Sequence, residues 1–190
     1  MQLHSSNLKQ HCTLVSKLES FTVATACSLS LPLDLLVAES TSCAEAMPAI
    51  PPFHLAFPVH SIAEARAFYI DILGCAEGRS AERWVDFNFQ GHQLVAHLVD
   101  GYQARSSHNQ VDGDPVPVPH FGLALSREQF DALAQRCQRH GVQFVIAPHL
   151  RFKGAPGEQM TMFFYDPSGN ALEFKAMTHP GNLFAKYFVG

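Results

Sequence analysis

The chain has 190 residues, of which 47% are hydrophobic and 16% charged, and its formal net charge is −4. This length is enough for one domain with a hydrophobic core and too small for two domains of ordinary size. High apolar content with a small net charge argues against disorder of the whole chain. Because the basic residues form no run, nucleic acid is disfavoured as a partner.

Residues 1–46 differ from the rest, being rich in Ser, Thr, Leu and Ala with no clean helical or strand period. We interpret them as a disordered extension, a targeting segment, or sequence upstream of a true start at Met47. Their apolar stretch is interrupted by Pro32 and Asp34 and is too polar for a membrane span, so no membrane partner is expected. The five cysteines are odd in number and form no CxxC, which predicts thiols in a reducing compartment. The expected location is the cytoplasm, with targeting to an organelle left open.

From Phe53 onward the pattern becomes regular. Residues 53–59 alternate like a strand, and Ser61-Ile62-Ala63-Glu64 has the form of a helix capping box. The helix that follows is predicted to bury apolar residues spaced by three or four and to end at Gly74. Those residues are Ile62, Ala65, Phe68, Tyr69 and Ile72. Strands are predicted near residues 84–89 and 93–99, with a weaker one around 75–79.

The second half of the sequence repeats this order. Residues 120–125 are predicted as a strand, Ser126 to Gln129 as a second capping box, and the helix as ending at Gly141. Strands follow at 143–148, 159–165 and 171–177, and a Pro-rich segment at 112–119 joins the halves. Strand, helix and three strands therefore occur twice, which indicates an internal duplication. We predict an α+β fold of two βαβββ modules, at about 53–99 and 119–177, that form a half-barrel cup, with a C-terminal tail at 178–190.

The repeat predicts a site. If the modules pair about a pseudo-twofold axis, corresponding strands meet, and His54 on the first opening strand should face His120 on the second. By the same pairing, His97 and Glu173 are the corresponding residues of the two final strands and should also converge. Two imidazoles and one carboxylate on one side of an ion leave positions open for substrate oxygens or O₂. His54, His120 and Glu173 are therefore the predicted metal ligands, and the absence of thiolates argues against a structural zinc site.

These residues lie in runs that resemble the vicinal oxygen chelate superfamily, over about residues 53–177. The runs are FHLAFPVHSIAEARAFYIDILG, PHFGLAL and FFYDPSGNALEF. That superfamily includes glyoxalase I, extradiol dioxygenases, and fosfomycin- and bleomycin-resistance proteins. By the resemblance, His54 and His120 match the strand histidines and Glu173 the last-strand carboxylate. His97 falls where glyoxalases have a fourth ligand, and a His-His-Glu set without that acid is closer to the extradiol-dioxygenase branch.

The sequence departs from ring-cleaving extradiol enzymes at two positions. Their acid–base tyrosine corresponds to Phe163 and their loop histidine to a position near Gly154. Tyr165, two residues along the same strand face, is the candidate substitute. His97 has three open roles, as fourth ligand, as a hydrogen-bond donor behind the ligands, or as general base.

The resemblance and the residues together imply a metal-dependent, dioxygenase-like enzyme acting on a small molecule chelated through two adjacent oxygens. His97 and Tyr165 are the candidate proton-transfer residues, and Arg151 and Lys153 are candidates for binding an anionic substrate. Fe(II) is the favoured ion, with Mn(II), Zn(II) or Ni(II) as alternatives. Glyoxalase-type isomerase or lyase chemistry and metal-free drug sequestration are the alternative functions. A homodimer is expected from the resemblance alone.

Overall fold

The protein is represented by a computed structural model that describes residues 50–187, so the predictions for residues 1–46 lie outside the described residues. The first module consists of β1 (His54–Val59), α1 (Ile62–Arg66), a π-helical segment (Ala67–Ile72), β2 (Ala76–Ala81), β3 (Trp84–Phe89) and β4 (His92–Leu98). A hairpin follows, formed by β5 (Ser107–Val111) and β6 (Asp114–Val118). The second module consists of β7 (His120–Ala124), α2 (Arg127–Arg139), β8 (Phe144–Arg151), β9 (Gln159–Tyr165) and β10 (Ala171–Met177), before a 3₁₀ turn (Pro180–Asn182).

The two modules have the same sheet topology. The strand orders are β1-β4-β3-β2 and β7-β10-β9-β8, and in each sheet the first and last strands of the module pair in parallel. The predicted α+β class with repeated βαβββ modules is confirmed. Sheet 1 denotes the first module's sheet and sheet 2 the second's.

The two predicted capping boxes are formed to different extents. At α2 the capping box is complete, because Ser126 Oγ accepts from Gln129 N–H while the Gln129 amide oxygen accepts from Ser126 N–H. At α1 the Ser61 hydroxyl accepts from Glu64 N–H, but the Glu64 carboxylate lies 3.2 Å from the His60 ring instead. The first box is therefore only half formed.

The π-helical segment shifts the buried face of the first helix. With regular α-helical spacing, Ile72 was predicted to be buried beneath Phe68. The wider turn instead buries Leu73, at 7% exposure, and leaves Ile72 half-buried. The insertion of one residue in a π-turn has no signal in a simple apolar spacing.

The hairpin of β5 and β6 replaces the predicted Pro-rich linker. Asp112 and Gly113 form its turn with φ of +52° and +85°, the conformation that Asp-Gly favours in two-residue hairpin loops. Pro115 and Pro117 alternate along β6, so both can occupy positions where the ladder needs no N–H. Val116 between them packs with Ile146 and Phe163 on sheet 2.

The helix-bearing faces of the two sheets share one hydrophobic core. Aromatic contacts cross between the modules, with ring centroids 5.3 Å apart for Phe57 and Phe121, 6.1 Å for Phe68 and Phe164, and 5.9 Å for Phe89 and Phe174. The Tyr69 hydroxyl also donates to Asp166 Oδ2, at 3.1 Å. Because these residues occupy the core side of each sheet, the opposite, open face of each sheet is the side away from this core.

None of the helices in the described part of the chain is long and apolar enough to cross a membrane.

Candidate metal centre

The predicted ligands His54, His120 and Glu173 all lie on open sheet faces. Each alternates along its strand with a core residue, namely Leu55, Phe121 and Leu172. His54 is on sheet 1, whereas His120 and Glu173 are on adjacent strands of sheet 2.

His120 and Glu173 form a direct pair. His120 Nε2 lies 3.2 Å from Glu173 Oε2. The other ring nitrogen, Nδ1, lies 2.7 Å from the carbonyl oxygen of Pro117. A carbonyl oxygen can only accept, so Nδ1 carries a hydrogen and Nε2 is the atom aimed at the carboxylate. The Phe163 ring packs against the imidazole in a T-shaped arrangement, with centroids 5.2 Å apart.

Glu173 is buried and held from several sides. Its exposure is 6%, Thr161 Oγ1 donates to Oε1 at 3.0 Å, and Lys175 Nζ lies 2.9 Å from Oε2. Oε2 is therefore shared by an imidazole and an ammonium, which offset the cost of burying a carboxylate.

These contacts shift the pKa values of both partners. Burial by itself raises the pKa of Glu173, but His120, Lys175 and Thr161 outweigh it and lower the pKa to about 2. The hydrogen bond to Glu173 raises the pKa of His120 above its ordinary value, against desolvation, with further help from the Pro117 carbonyl. Without a metal, the pair is therefore an imidazolium and a carboxylate over a window of mildly acidic pH.

This pair predicts a pH dependence of stability for the metal-free protein. A lowered carboxyl pKa contributes stability above 4.5 that is lost as the pH falls towards 2, and the raised imidazole pKa contributes stability below 6.5 that is lost as the pH rises through the raised value. The difference in unfolding free energy between wild type and Glu173→Gln should therefore be largest between these two limits. Urea titrations from pH 3 to 9 measure it, and a difference independent of pH would contradict the ion pair.

His54 is not part of this pair. Its ring is exposed, and Nδ1 lies 2.8 Å from Gln93 Oε1 on β4. Within residues 50–187 no three His, Cys, Asp or Glu side chains lie close enough together to hold a metal ion. The convergence of His54, His120 and Glu173 inside one chain, which pseudo-twofold pairing predicted, is thus not met.

The register also corrects the predicted match between the final strands. His54 pairs with Gln93 and His120 with Ala171, so Val95 corresponds to Glu173 and His97 corresponds to Lys175. The earlier matching of His97 with Glu173 is therefore displaced by two residues. His97 is exposed on the open face of sheet 1.

The other predicted site residues, Tyr165, Arg151 and Lys153, have different surroundings. Tyr165 is on the same face as Glu173, and its hydroxyl lies 3.1 Å from Ser106 Oγ. Arg151 is 3% exposed, and its guanidinium contacts Asp114 and the Val111 carbonyl, so it fastens the hairpin to sheet 2. Lys153 is exposed in the following loop.

Sequence reasoning missed two contacts of Glu173. Lys175 and Thr161 were not singled out, although their positions carry a signal. Lys175 is two residues beyond Glu173 and so shares its strand face, and Thr161 is the residue opposite Lys175 on β9.

The donor atoms fit half of a metal centre within one chain. Glu173 is a buried carboxylate, a hard oxygen donor, and His120 presents an imidazole nitrogen whose other nitrogen is anchored to a carbonyl, the usual arrangement of a metal-ligating histidine. The two ring nitrogens of His54 are arranged in the same way, since its Nδ1 lies against the side-chain amide oxygen of Gln93. A third donor must come from outside this sheet, and the Lys175 ammonium must leave Oε2 when an ion binds there.

Comparisons with known proteins agree with this fold. A structure described as glyoxalase/bleomycin resistance protein/dioxygenase from Alicyclobacillus acidocaldarius is 33% identical, with a TM-score of 0.60, over 70% of this chain and 95% of that one. A fosfomycin resistance protein, FosX, from Listeria monocytogenes has the same fold at 22% identity, with a TM-score of 0.53, over 68% and 95% of the chains. No curated protein matches in sequence. The profile of the Glyoxalase/Bleomycin resistance protein/Dioxygenase superfamily matches residues 52–174, and the chain belongs to that superfamily.

Proposed function

We propose that the protein is a metal-dependent, dioxygenase-like enzyme whose metal centre is shared by two copies of the chain. His120 and Glu173 of one copy hold the ion together with His54 of the other. Many members of the superfamily use a divalent metal and bind small molecules, and dimers are common among them. The single observation that carries the proposal is that each of the two imidazoles has Nδ1 bound to an oxygen, which leaves Nε2 as the nitrogen that can ligate an ion.

The orientation of the open faces supports a second copy as the source of His54. The modules of one chain pack through their helix-bearing sides, so the shared core does not bring the open faces of sheets 1 and 2 against each other. A second copy can lay its sheet 1 against sheet 2 of the first. A twofold arrangement would then form two equivalent cups, each with one complete set of ligands.

Exposed apolar side chains border both open faces. Phe53 next to His54 is 60% exposed, and Val118 and Leu150 near the hairpin side of sheet 2 are 43% and 39% exposed. Large exposed apolar side chains beside a site are typical of an interface that is covered in the assembled protein. Their burial would supply part of the association free energy.

The residues around the pair have separate roles in the proposed reaction. A bound divalent ion would supply Lewis acidity to a substrate that binds through two adjacent oxygens. Thr161 fixes Oε1 of Glu173, and the Pro117 carbonyl fixes the tautomer of His120. Tyr165 with its Ser106 partner is the candidate for moving a proton on this face, with His97 of the second copy as the other. Lys153 is the candidate for binding an anionic group of the substrate.

Phe163 favours isomerase or lyase chemistry as the second candidate. By the resemblance, it occupies the position of the acid–base tyrosine in ring-cleaving enzymes, and its phenyl ring, which packs against His120, has no group that transfers a proton. A reaction that needs Lewis acidity but no acid at that position remains compatible with the site. Fe(II) suits the first function, and Ni(II), Zn(II) or Mn(II) the second.

One experiment separates the two. Protein reconstituted with Fe(II) is given a catechol panel in an oxygen electrode, and protein with Ni(II) or Zn(II) is given a hemithioacetal. Oxygen consumption that depends on Glu173 supports the dioxygenase-like function. Hemithioacetal turnover without oxygen uptake would replace it by the second, and a protein that takes up none of these ions would end both.

Lys175→Met is expected to tighten metal binding. The Lys175 ammonium lies 2.9 Å from Glu173 Oε2 and competes with a cation for the same oxygen, whereas Met keeps a similar length without charge. We expect roughly a tenfold gain in affinity, about 1.4 kcal/mol. Calorimetric titration with Zn(II) measures it, with Lys186→Met as the control. Weaker binding by the Lys175 variant would contradict the competition.

A further inference from the structure

A continuous chain of hydrogen bonds crosses the open face of sheet 1 and ends at His54. Arg79 Nε donates to Asp86 Oδ2 at 3.0 Å, Gln93 Nε2 donates to the same oxygen at 3.0 Å, and Gln93 Oε1 lies 2.8 Å from His54 Nδ1. The four residues lie on the four neighbouring strands of the sheet. None of the contacts involves Glu173 or His120.

The donors and acceptors along this series of hydrogen bonds can be assigned in only one way. A carboxylate can only accept, so the Gln93 NH₂ group must face Asp86. The amide oxygen then faces His54 and can only accept in turn. Nδ1 of His54 must therefore carry the hydrogen, and the lone pair of the neutral imidazole is on Nε2.

Asp86 is in an unusual position for a purely structural residue. It is 5% exposed on the open face, and its Oδ1 has no hydrogen-bond partner among residues 50–187. Burying a carboxylate is costly, and an apolar residue of similar size would stabilise such a position better. The negative charge is offset by Arg79, whose side chain is 77% exposed.

The local backbone brings Arg79 to this place. The β2–β3 register shifts between Glu77 and Ser80, which is a bulge that contains Gly78 and Arg79. A Cβ on Gly78 would lie 3.1 Å from Asp86 Cβ, so the glycine allows β2 to approach Asp86 closely. The bulge thus orients the Arg79 side chain towards the Asp86 carboxylate.

We infer that Arg79, Asp86 and Gln93 are positioning residues that set the tautomer and ring orientation of His54. They would make Nε2, which carries the lone pair, the nitrogen that ligates the ion held by the second copy. This inference rests on the proposed shared centre for its purpose, although the tautomer itself does not. Side chains on sheet 1 would do for His54 what the Pro117 carbonyl does for His120. Partners of this kind behind a ligand change metal affinity by about 10- to 100-fold when removed.

The test starts with the metal-free, full-length protein labelled with ¹⁵N in histidine and studied by NMR at alkaline pH. Wild type should show His54 with hydrogen on Nδ1. Gln93→Leu should move it towards Nε2–H or a mixture, whereas Gln93→Glu, which keeps an acceptor oxygen, should retain Nδ1–H. The signal of His120, on sheet 2, should be unchanged in both variants, which would show that the substitutions leave the second module folded.

Metal titration of the same proteins completes the test. We expect Gln93→Leu to lower Zn(II) affinity by about 10- to 100-fold and Gln93→Glu to lower it by less. An unchanged His54 tautomer in Gln93→Leu, or an unchanged affinity, would overturn the positioning role. Wild type that binds no Zn(II) would instead overturn the proposed centre, whatever the tautomer of His54 is.

Discussion

Replacing Glu173 by Gln should lower the affinity for a divalent ion by more than about 100-fold. Loss of a residue that only supports a metal ligand lowers affinity by up to about 100-fold, and loss of the ligand itself should cost more. The amide keeps the size and the contact with Thr161 but removes the carboxylate that lies 3.2 Å from His120 Nε2. It also leaves the His120 imidazole and the Lys175 ammonium without their shared counter-charge. Both effects act against a bound cation.

Metal content of the purified protein and a calorimetric titration measure this loss. Glu128→Gln is the matched control, because it makes the same chemical change at an exposed position in the first turn of α2. The control should bind as wild type does. Stoichiometric metal retained in Glu173→Gln would contradict Glu173 as a ligand.

Gly122→Ala should have the largest effect on stability, with a loss of about 3 kcal/mol. A Cβ on Gly122 would lie 1.6 Å from the backbone oxygen of Glu173, and backbone cannot move aside as a flexible side chain can. Strand β7 would have to separate from β10, and this movement would pull His120 on β7 away from Glu173 on β10. The substitution therefore links fold and site.

Chemical denaturation measures the loss of stability, and the pH dependence of that stability reports whether the pair survives. Gly181→Ala is the control, since a Cβ there meets no atom of the described part of the chain within 4 Å. The control should change the unfolding free energy by less than about 0.5 kcal/mol. A Gly122→Ala protein as stable as wild type would mean that β7 and β10 are less closely paired than the structure describes.

The strands were largely predictable because burial imposes their pattern. The bounds of β3, β9 and β10 match the predicted residues, and in each strand core residues such as Phe87, Phe164 and Phe174 alternate with residues of the open face. The helix starts were predictable because Ser61 and Ser126 satisfy backbone N–H groups that have no partner within the helix. Short-range physics was sufficient there.

The way in which the modules meet was not predictable from the sequence. Alternation tells which side chains share a face, and Phe57 and Phe121 are apolar whether their sheet packs on its own helix or on the other module. The duplication suggested a cup within one chain, but the two cores merge through such aromatic pairs, and the open faces are the sides of the sheets away from that shared core. Long-range packing decides this, and no local pattern encodes it.

Part of the candidate site followed from the repeat. The pair His120 and Glu173 is brought together as predicted. The register that matches Val95 rather than His97 to Glu173 depends on strand pairing, which shifts by two residues without changing the face. The hairpin was missed because its prolines outweighed the Asp112-Gly113 turn signal.

The most direct test of the shared centre is complementation between two inactive variants. His54→Ala and Glu173→Ala are each purified, mixed, unfolded and refolded together, and the bound metal is measured against each variant refolded alone. A hybrid dimer combines His54 of one chain with His120 and Glu173 of the other, so random pairing should restore about a quarter of the wild-type sites. Recovery near that level is the predicted result. A mixture that binds no more metal than the separate variants would contradict a centre built from two copies.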